Sequence, residues 1–306
     1  MKEKKSFYFF NDQVELDSWK DKYYRDIRIP YLLVPYLAGR ETALISASGQ
    51  WATARHLKIH SVAFLHSGFN AFSFFSKDYM VYYSLASYMN HPLFSYNPVE
   101  RQRQQREWTD GIRNEAGELI APAQMSKYIT GYQLFFDFDC HGKIYSDPKR
   151  SEAYRDCKAL SDDLSKWGVK YRITFSGSGW HLVIPYQQFA SVAGKVDDVD
   201  FMASGNVFNF CVRVRERIVN MLGLGSVDLT IVDAARVCKC PMSMTKYGTV
   251  ALPMESLQQF ENFSIDSCDP RRVLARQDLY MKGEVFTCQG TPTGFERYLE
   301  KRLKKW

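Results

Sequence analysis

The chain has 306 residues, 45% of them hydrophobic and 24% charged, which suits a globular protein of one large domain or two closely packed ones. Its net charge of +6 permits a polyanionic partner without requiring one. Seven scattered cysteines exclude an extracellular disulfide framework, the first apolar run is too short for a signal peptide, and no stretch approaches a membrane span. The chain is therefore expected to be intracellular and soluble, and cytoplasmic if prokaryotic or encoded by a mobile element.

In chain order, residues 1–125 read as a mixed α/β unit of weak periodicity. A helix is expected over 17–27, short strands over 42–48 and 61–66, and a helix from Ser76 to Met89, stopped by His91-Pro92. His56, His60 and His66 lie close in sequence but lack a carboxylate or thiol at ligand spacing. RQRQQREW at 101–108 reads as a solvated helix face, with nucleic-acid contact as the sharper reading.

Residues 126–255 carry the clearest pattern. YQLFFDFD at 132–139 is a strand that ends in two carboxylates, Asp137 and Asp139. Side chains alternate along a strand, so the two share a face and repel unless a cation lies between them. A helix follows from Pro148 to Trp167, with Gly168 as its cap. Strands over 169–175 and 180–185 flank the turn SGSG at 176–179, and a long helix fits the apolar spacing from Val207 to Leu222. A strand over 227–232 that ends on Asp233 completes a βαββαβ order, the split, RRM-like plan of an α+β fold. Residues 256–306 form a helical, basic extension, with a further strand expected just before it near 249–252. Its helices start at Asp269-Pro270 and at Thr293, where Glu296 completes a capping box.

Three strand ends of this plan can converge. Three carboxylates can hold two divalent ions for in-line phosphoryl displacement. A turn with two glycines admits phosphate oxygens close to backbone N–H groups. His181 can donate to a phosphate, and Arg236, Lys239 and Lys246 can neutralise the remainder of a triphosphate.

With these motifs the chain resembles the archaeo-eukaryotic primases and primase-polymerases over residues 131 to about 250. LFFDFD matches their strand ending DxD, SGSGWH their SGxGxH, and DAARVCKCPMS at 233–243 their third motif, with Lys239 where a second Arg is common. The resemblance implies template-directed nucleotidyl transfer: synthesis and extension of primers on single-stranded DNA. It implies that Asp137, Asp139 and Asp233 hold two Mg²⁺ or Mn²⁺ ions. Ser176, Gly177 and His181 would grip the incoming NTP or dNTP, with Arg236, Lys239 and Lys246 nearby. A helicase or other replication or repair protein would act in trans, since no GxxxxGK[ST] loop is present. The chain lacks the zinc knuckle usual in archaeal small subunits, and Cys238 and Cys240 read as a buried pair. Two alternatives stand beside this reading. One is an end-joining or gap-filling polymerase of the same superfamily, and the other is a non-catalytic RRM-like nucleic-acid-binding module.

Overall fold

Strand formers placed next to glycines and aspartates build two antiparallel sheets with helices against them, a mixed α+β architecture. The computed structural model describes residues 7–26, 28–38, 40–46, 51–52, 79–88, 99–100, 103–104, 107, 112–113, 119–121, 129–140, 145–193, 207–230, 236–276 and 283–303. Helices α1 (Gln13–Arg25) and α2 (Arg28–Leu37) precede β1 (Arg40–Ser46), β2 (Trp51–Ala52) and β3 (Tyr79–Tyr88). A small ribbon of β4 (Ile112–Arg113) and β5 (Leu119–Ala121) follows, then β6 (Ile129–Tyr132) and β7 (Leu134–Phe138). Next come α3 (Glu152–Lys166), β8 (Arg172–Phe175), β9 (Trp180–Ile184) and, beyond a helical turn at Ala190–Ala193, α4 (Val207–Leu222). The chain closes with β10 (Val237–Lys239), β11 (Leu252–Pro253), α5 (Leu257–Glu261), α6 (Pro270–Ala275) and α7 (Gly294–Arg302).

One sheet runs β10-β3-β1-β2, with β6 also on β3, and the other runs β11-β8-β9-β7. Every residue of β8 and β9 is buried, which explains why they read as continuous apolar runs rather than alternating ones. Trp180, Phe175, Phe260 and Phe263 pack edge-on or tilted with centroids 4.8–5.2 Å apart, filling the space between β8-β9 and α5.

The expected helix from Ser76 to Met89 is corrected: residues Tyr79–Tyr88 form β3, paired with β1, β6 and β10. Tyr and Val favour the pleated sheet, and burial of Met80, Val81 and every residue from Tyr83 to Ala86 removes the alternation that marks a strand. The expected strand over 227–232 is corrected in its first half. Val227 makes a single bridge to Phe138, after which Asp228 accepts the Thr230 N–H (2.8 Å) and O–H (2.6 Å) and bends the chain into a turn. The later half, with Asp233, lies outside the described residues, as do the histidines at 56, 60 and 66, Arg101, Arg106 and Trp108.

Pro148 opens only a short 3₁₀ turn to Arg150, and Ser151 caps α3 afresh by accepting the Tyr154 N–H at 3.1 Å. At Thr293 the side chain makes no cap hydrogen bond, so the expected capping box is not formed there. Of the strand expected near 249–252 only Leu252 falls in one, β11 on the outer edge of β8, while Val250 makes a single bridge to Met244. Within the arginine-rich stretch, Arg103 pairs with Glu100 and Glu107 along exposed helical turns, the solvated reading of that residue. Cys238 and Cys240 are both buried. No helix among the described residues is long and apolar enough to cross a membrane.

The two sheets are joined by polar bonds as well as by the core. Tyr23 donates to Met242 O at 2.7 Å, and the Met244 N–H donates to Tyr24 OH at 2.9 Å. Arg172, at the start of β8 and 1% exposed, donates to Tyr83 OH of β3 at 2.5 Å and to Glu284, with Tyr36 of α2 under its guanidinium. Tyr83 in turn donates to Gln133 at 3.4 Å, the residue that leads into β7. Segment 283–288 thus fastens α2, β3 and β8 together, since Val285 N–H also bonds Tyr36 OH and Thr287 Oγ1 accepts the Ile173 N–H.

Candidate active site

The antiparallel register of β7, β9 and β8 puts Asp137, His181 and Thr174 in one row across the sheet. His181 Nε2 lies 3.5 Å from Asp137 Oδ1, with the edge of Phe135 packed against the imidazole at a centroid distance of 5.0 Å. Burial, and then the charge of Asp139, pushes the Asp137 carboxyl up to about 7, against the pull of Lys239 and Arg236. Burial, then the cations Lys239, Arg172 and Arg236, holds His181 well below its ordinary value, so its imidazole is neutral at pH 7.

Asp139 follows the end of β7, and its N–H donates to Ser226 O at 2.9 Å. Two residues on, the Asp228 N–H donates to Asp137 O at 2.8 Å. These bonds sew loop 226–228 along the carboxylate end of β7, and the Asp228 charge adds to the upward push on Asp137. Burial opposes ionisation of Asp228, but its bonds from Thr230 and the nearby Arg236 and Arg215 outweigh it and hold its pKa low. Arg236 Nη2 lies 3.6 Å from the Asp228 carboxylate.

The SGSG turn closes over this row. Ser176 N–H donates to Gly179 O at 2.9 Å, and Gly177 sits at φ +105, where side chains are strained. A Cβ on Gly177 would lie 2.8 Å from Thr245 Oγ1, and one on Gly179 would lie 2.2 Å from Phe138 O. The turn is therefore held between residue 245 and the backbone of β7.

From the other sheet, β10 brings Lys239, whose Nζ donates to Ser176 O at 2.6 Å and stands 6.0 Å from the Tyr82 ring. Burial above all, with the charge of Lys246, lowers its ammonium to about 8 against the pull of Asp137 and Asp139. Lys246 itself is exposed, over the ring of Tyr247. The described site thus brings together Asp137, Asp139, Ser176, Gly177, His181, Arg236, Lys239 and the field of Lys246. Of the residues expected from sequence, Asp233 lies outside the described residues. Sequence reasoning missed Asp228, and the signal that could have found it is Asp followed two residues later by Thr, an Asx-turn pattern that ends a strand.

Among the described residues no group of three or more His, Cys, Asp or Glu side chains is gathered so as to hold a metal ion. The donor chemistry nevertheless fits Mg²⁺ or Mn²⁺. Such an ion takes one or two carboxylates and fills its other positions with water and substrate phosphate. Two repelling carboxyls, one of them forced toward its neutral form, are what a hard cation would relieve.

No family model matches the chain, and no curated protein matches it. Among solved structures, the chain is similar to the polymerase domain from Mycobacterium tuberculosis Ligase D in complex with DNA, with 14% sequence identity and a TM-score of 0.44, covering 86% of this chain and 90% of that chain.

Proposed function

We propose that the chain is a template-directed nucleotidyltransferase of the primase-polymerase kind, which makes and extends primers on single-stranded DNA. The observation that carries this reading is the meeting of opposite charges at the SGSG turn. The carboxyls of Asp137 and Asp139 come from one sheet, and the ammonium of Lys239, bonded to Ser176 O, comes from the other. A purely binding module gains nothing from anions beside phosphate.

In this reading Asp137 and Asp139 hold Mg²⁺ or Mn²⁺. Asp233 stays in the carboxylate set on the motif alone, while Asp228, bonded by Thr230 and facing Arg236, adds its charge beside Asp137. Two bound ions would supply charge stabilisation of the phosphoryl group in flight and activation of the attacking hydroxyl. The residues of the chain orient the nucleotide. Ser176 and Gly177 present backbone N–H groups to phosphate oxygens, and neutral His181 donates one N–H from its ring. Arg236, Lys239 and Lys246 offset the charge of the triphosphate and of the departing pyrophosphate. The RRM-like plan over residues 126–255 belongs to the same proposal, supported by the order β8-β9-β7 and the bridge from Phe138 to Val227.

The test is a single-stranded template, with and without primer, given labelled NTPs or dNTPs and Mg²⁺ or Mn²⁺. Products without primer are the expected result. Extension only from a primer would move the assignment to an end-joining or gap-filling polymerase, and DNA binding without product would return it to a binding module.

A further inference from the structure

Asp156 lies outside the nucleotide-contacting set, on the first turns of α3, and its Oδ2 accepts two hydrogen bonds from one residue. Ser226 donates both its N–H (2.9 Å) and its O–H (2.7 Å) to that oxygen. Ser226 is 5% exposed and Asp156 half-buried, so these bonds are partly shielded from water. The carbonyl of the same Ser226 accepts the Asp139 N–H at 2.9 Å. One residue further, Val227 bridges Phe138, and the Asp228 N–H reaches Asp137 O at 2.8 Å. A single carboxylate on a helix therefore fixes the short loop that runs beside both carboxylates of the strand end.

We propose that Asp156 is a positioning residue for the divalent-ion site: acting through Ser226, it sets where the Asp139 and Asp228 backbones lie, and so where their carboxylates stand. This rests on the reading of Asp137 and Asp139 as ion ligands. A carboxylate one shell away, gripping a peptide that grips the ligand, is how ion sites gain a fixed geometry. α3 suits this role because it is capped at Ser151 and packed along β7 and β9, so Asp156 is held on a rigid element.

The experiment compares the parent chain with Asp156→Ala, Asp156→Asn and Asp137→Asn. Amide hydrogen exchange is followed at Asp139 and Asp228, and Mn²⁺ binding is titrated by electron paramagnetic resonance without nucleotide. Asp156→Ala is expected to lose protection at those two amides while Ile173 and Leu182 in β8 and β9 keep theirs, and to weaken Mn²⁺ binding about 10-fold or more. Asp156→Asn, which keeps an acceptor oxygen, should recover most of both. Unchanged exchange at Asp139 and Asp228 in Asp156→Ala would overturn the proposal. So would a uniform loss across β8 and β9, which marks a residue needed only for folding. Parent-like Mn²⁺ affinity in Asp137→Asn would instead overturn the ion-site reading, and the amide arm would still decide whether Asp156 places the loop.

Discussion

Asp137 and His181 stand opposite one another on β7 and β9, with Nε2 3.5 Å from Oδ1, and burial works against the charged form of each. A site built this way carries an electrostatic cost that a cation and a polyphosphate would relieve. The row is also rigid, because it lies on strands that are buried along most of their length.

That cost has a pH signature. The folded-state pKa of Asp137, about 7, lies above its ordinary 3.8, so folding disfavours the charged carboxylate. The stability this group contributes is complete below about pH 4 and lost as pH rises through 7, a change on the order of 4 kcal/mol at most. Asp137→Asn should therefore be more stable than the parent at pH 8 and similar to it at pH 4, measured by urea denaturation. His181 acts in the opposite sense, costing stability as pH falls below its ordinary 6.5, and the parent-minus-variant difference cancels it. Mg²⁺ or Mn²⁺ should raise the melting temperature of the parent more at pH 8 than at pH 5. Equal pH dependence in parent and variant contradicts the burial of an anionic Asp137.

The two glycines of the turn should respond differently. Gly177→Ala meets the side chain of Thr245 and a left-handed φ, a cost of about 1–3 kcal/mol that Thr245→Ser should partly relieve. Gly179→Ala meets the Phe138 carbonyl itself, which no side-chain change can relieve. Thermal melts of the two single and the double variants check this. A Gly179→Ala protein as stable as the parent contradicts the close approach of turn and strand.

Buried Arg172 pairs with half-buried Glu284 and bonds Tyr83 across the two sheets, so removing the cation leaves the carboxylate and the hydroxyl without it. Arg172→Met should cost about 3 kcal/mol or more. Tyr83→Phe, which removes only the hydroxyl between Arg172 and Gln133, should cost about 1 kcal/mol. Denaturation midpoints decide, and a loss under about 1 kcal/mol for Arg172→Met would show that the sheets do not depend on this clamp.

How much of this was legible in the sequence depended on how local the cause was. The β7 strand, the β8-β9 hairpin and α4 follow from runs and spacings within a few residues, and Gly177 is demanded by its own φ. β3 escaped because burial on both faces erases alternation, and its tyrosines fell by chance at helical spacing. β10 escaped because its partner, β3, lies far earlier in the chain, so no local pattern announces the pairing that brings Lys239 to Ser176. Asp228 was hidden inside an apparent strand, and Asp156 inside an ordinary amphipathic helix. Their roles exist only once Ser226 is folded between them and Asp139.

The central claim is that Asp137 and Asp139 serve nucleotide transfer through a divalent ion. Single-turnover incorporation of a labelled nucleotide on a primed template in Mn²⁺ tests it most directly, comparing the parent with Asp137→Asn and Asp139→Asn. The expected result is template-dependent incorporation by the parent and a fall of about 10³-fold or more in each variant, with both variants folded as judged by their melting curves. Incorporation at the parental rate by either variant contradicts the claim.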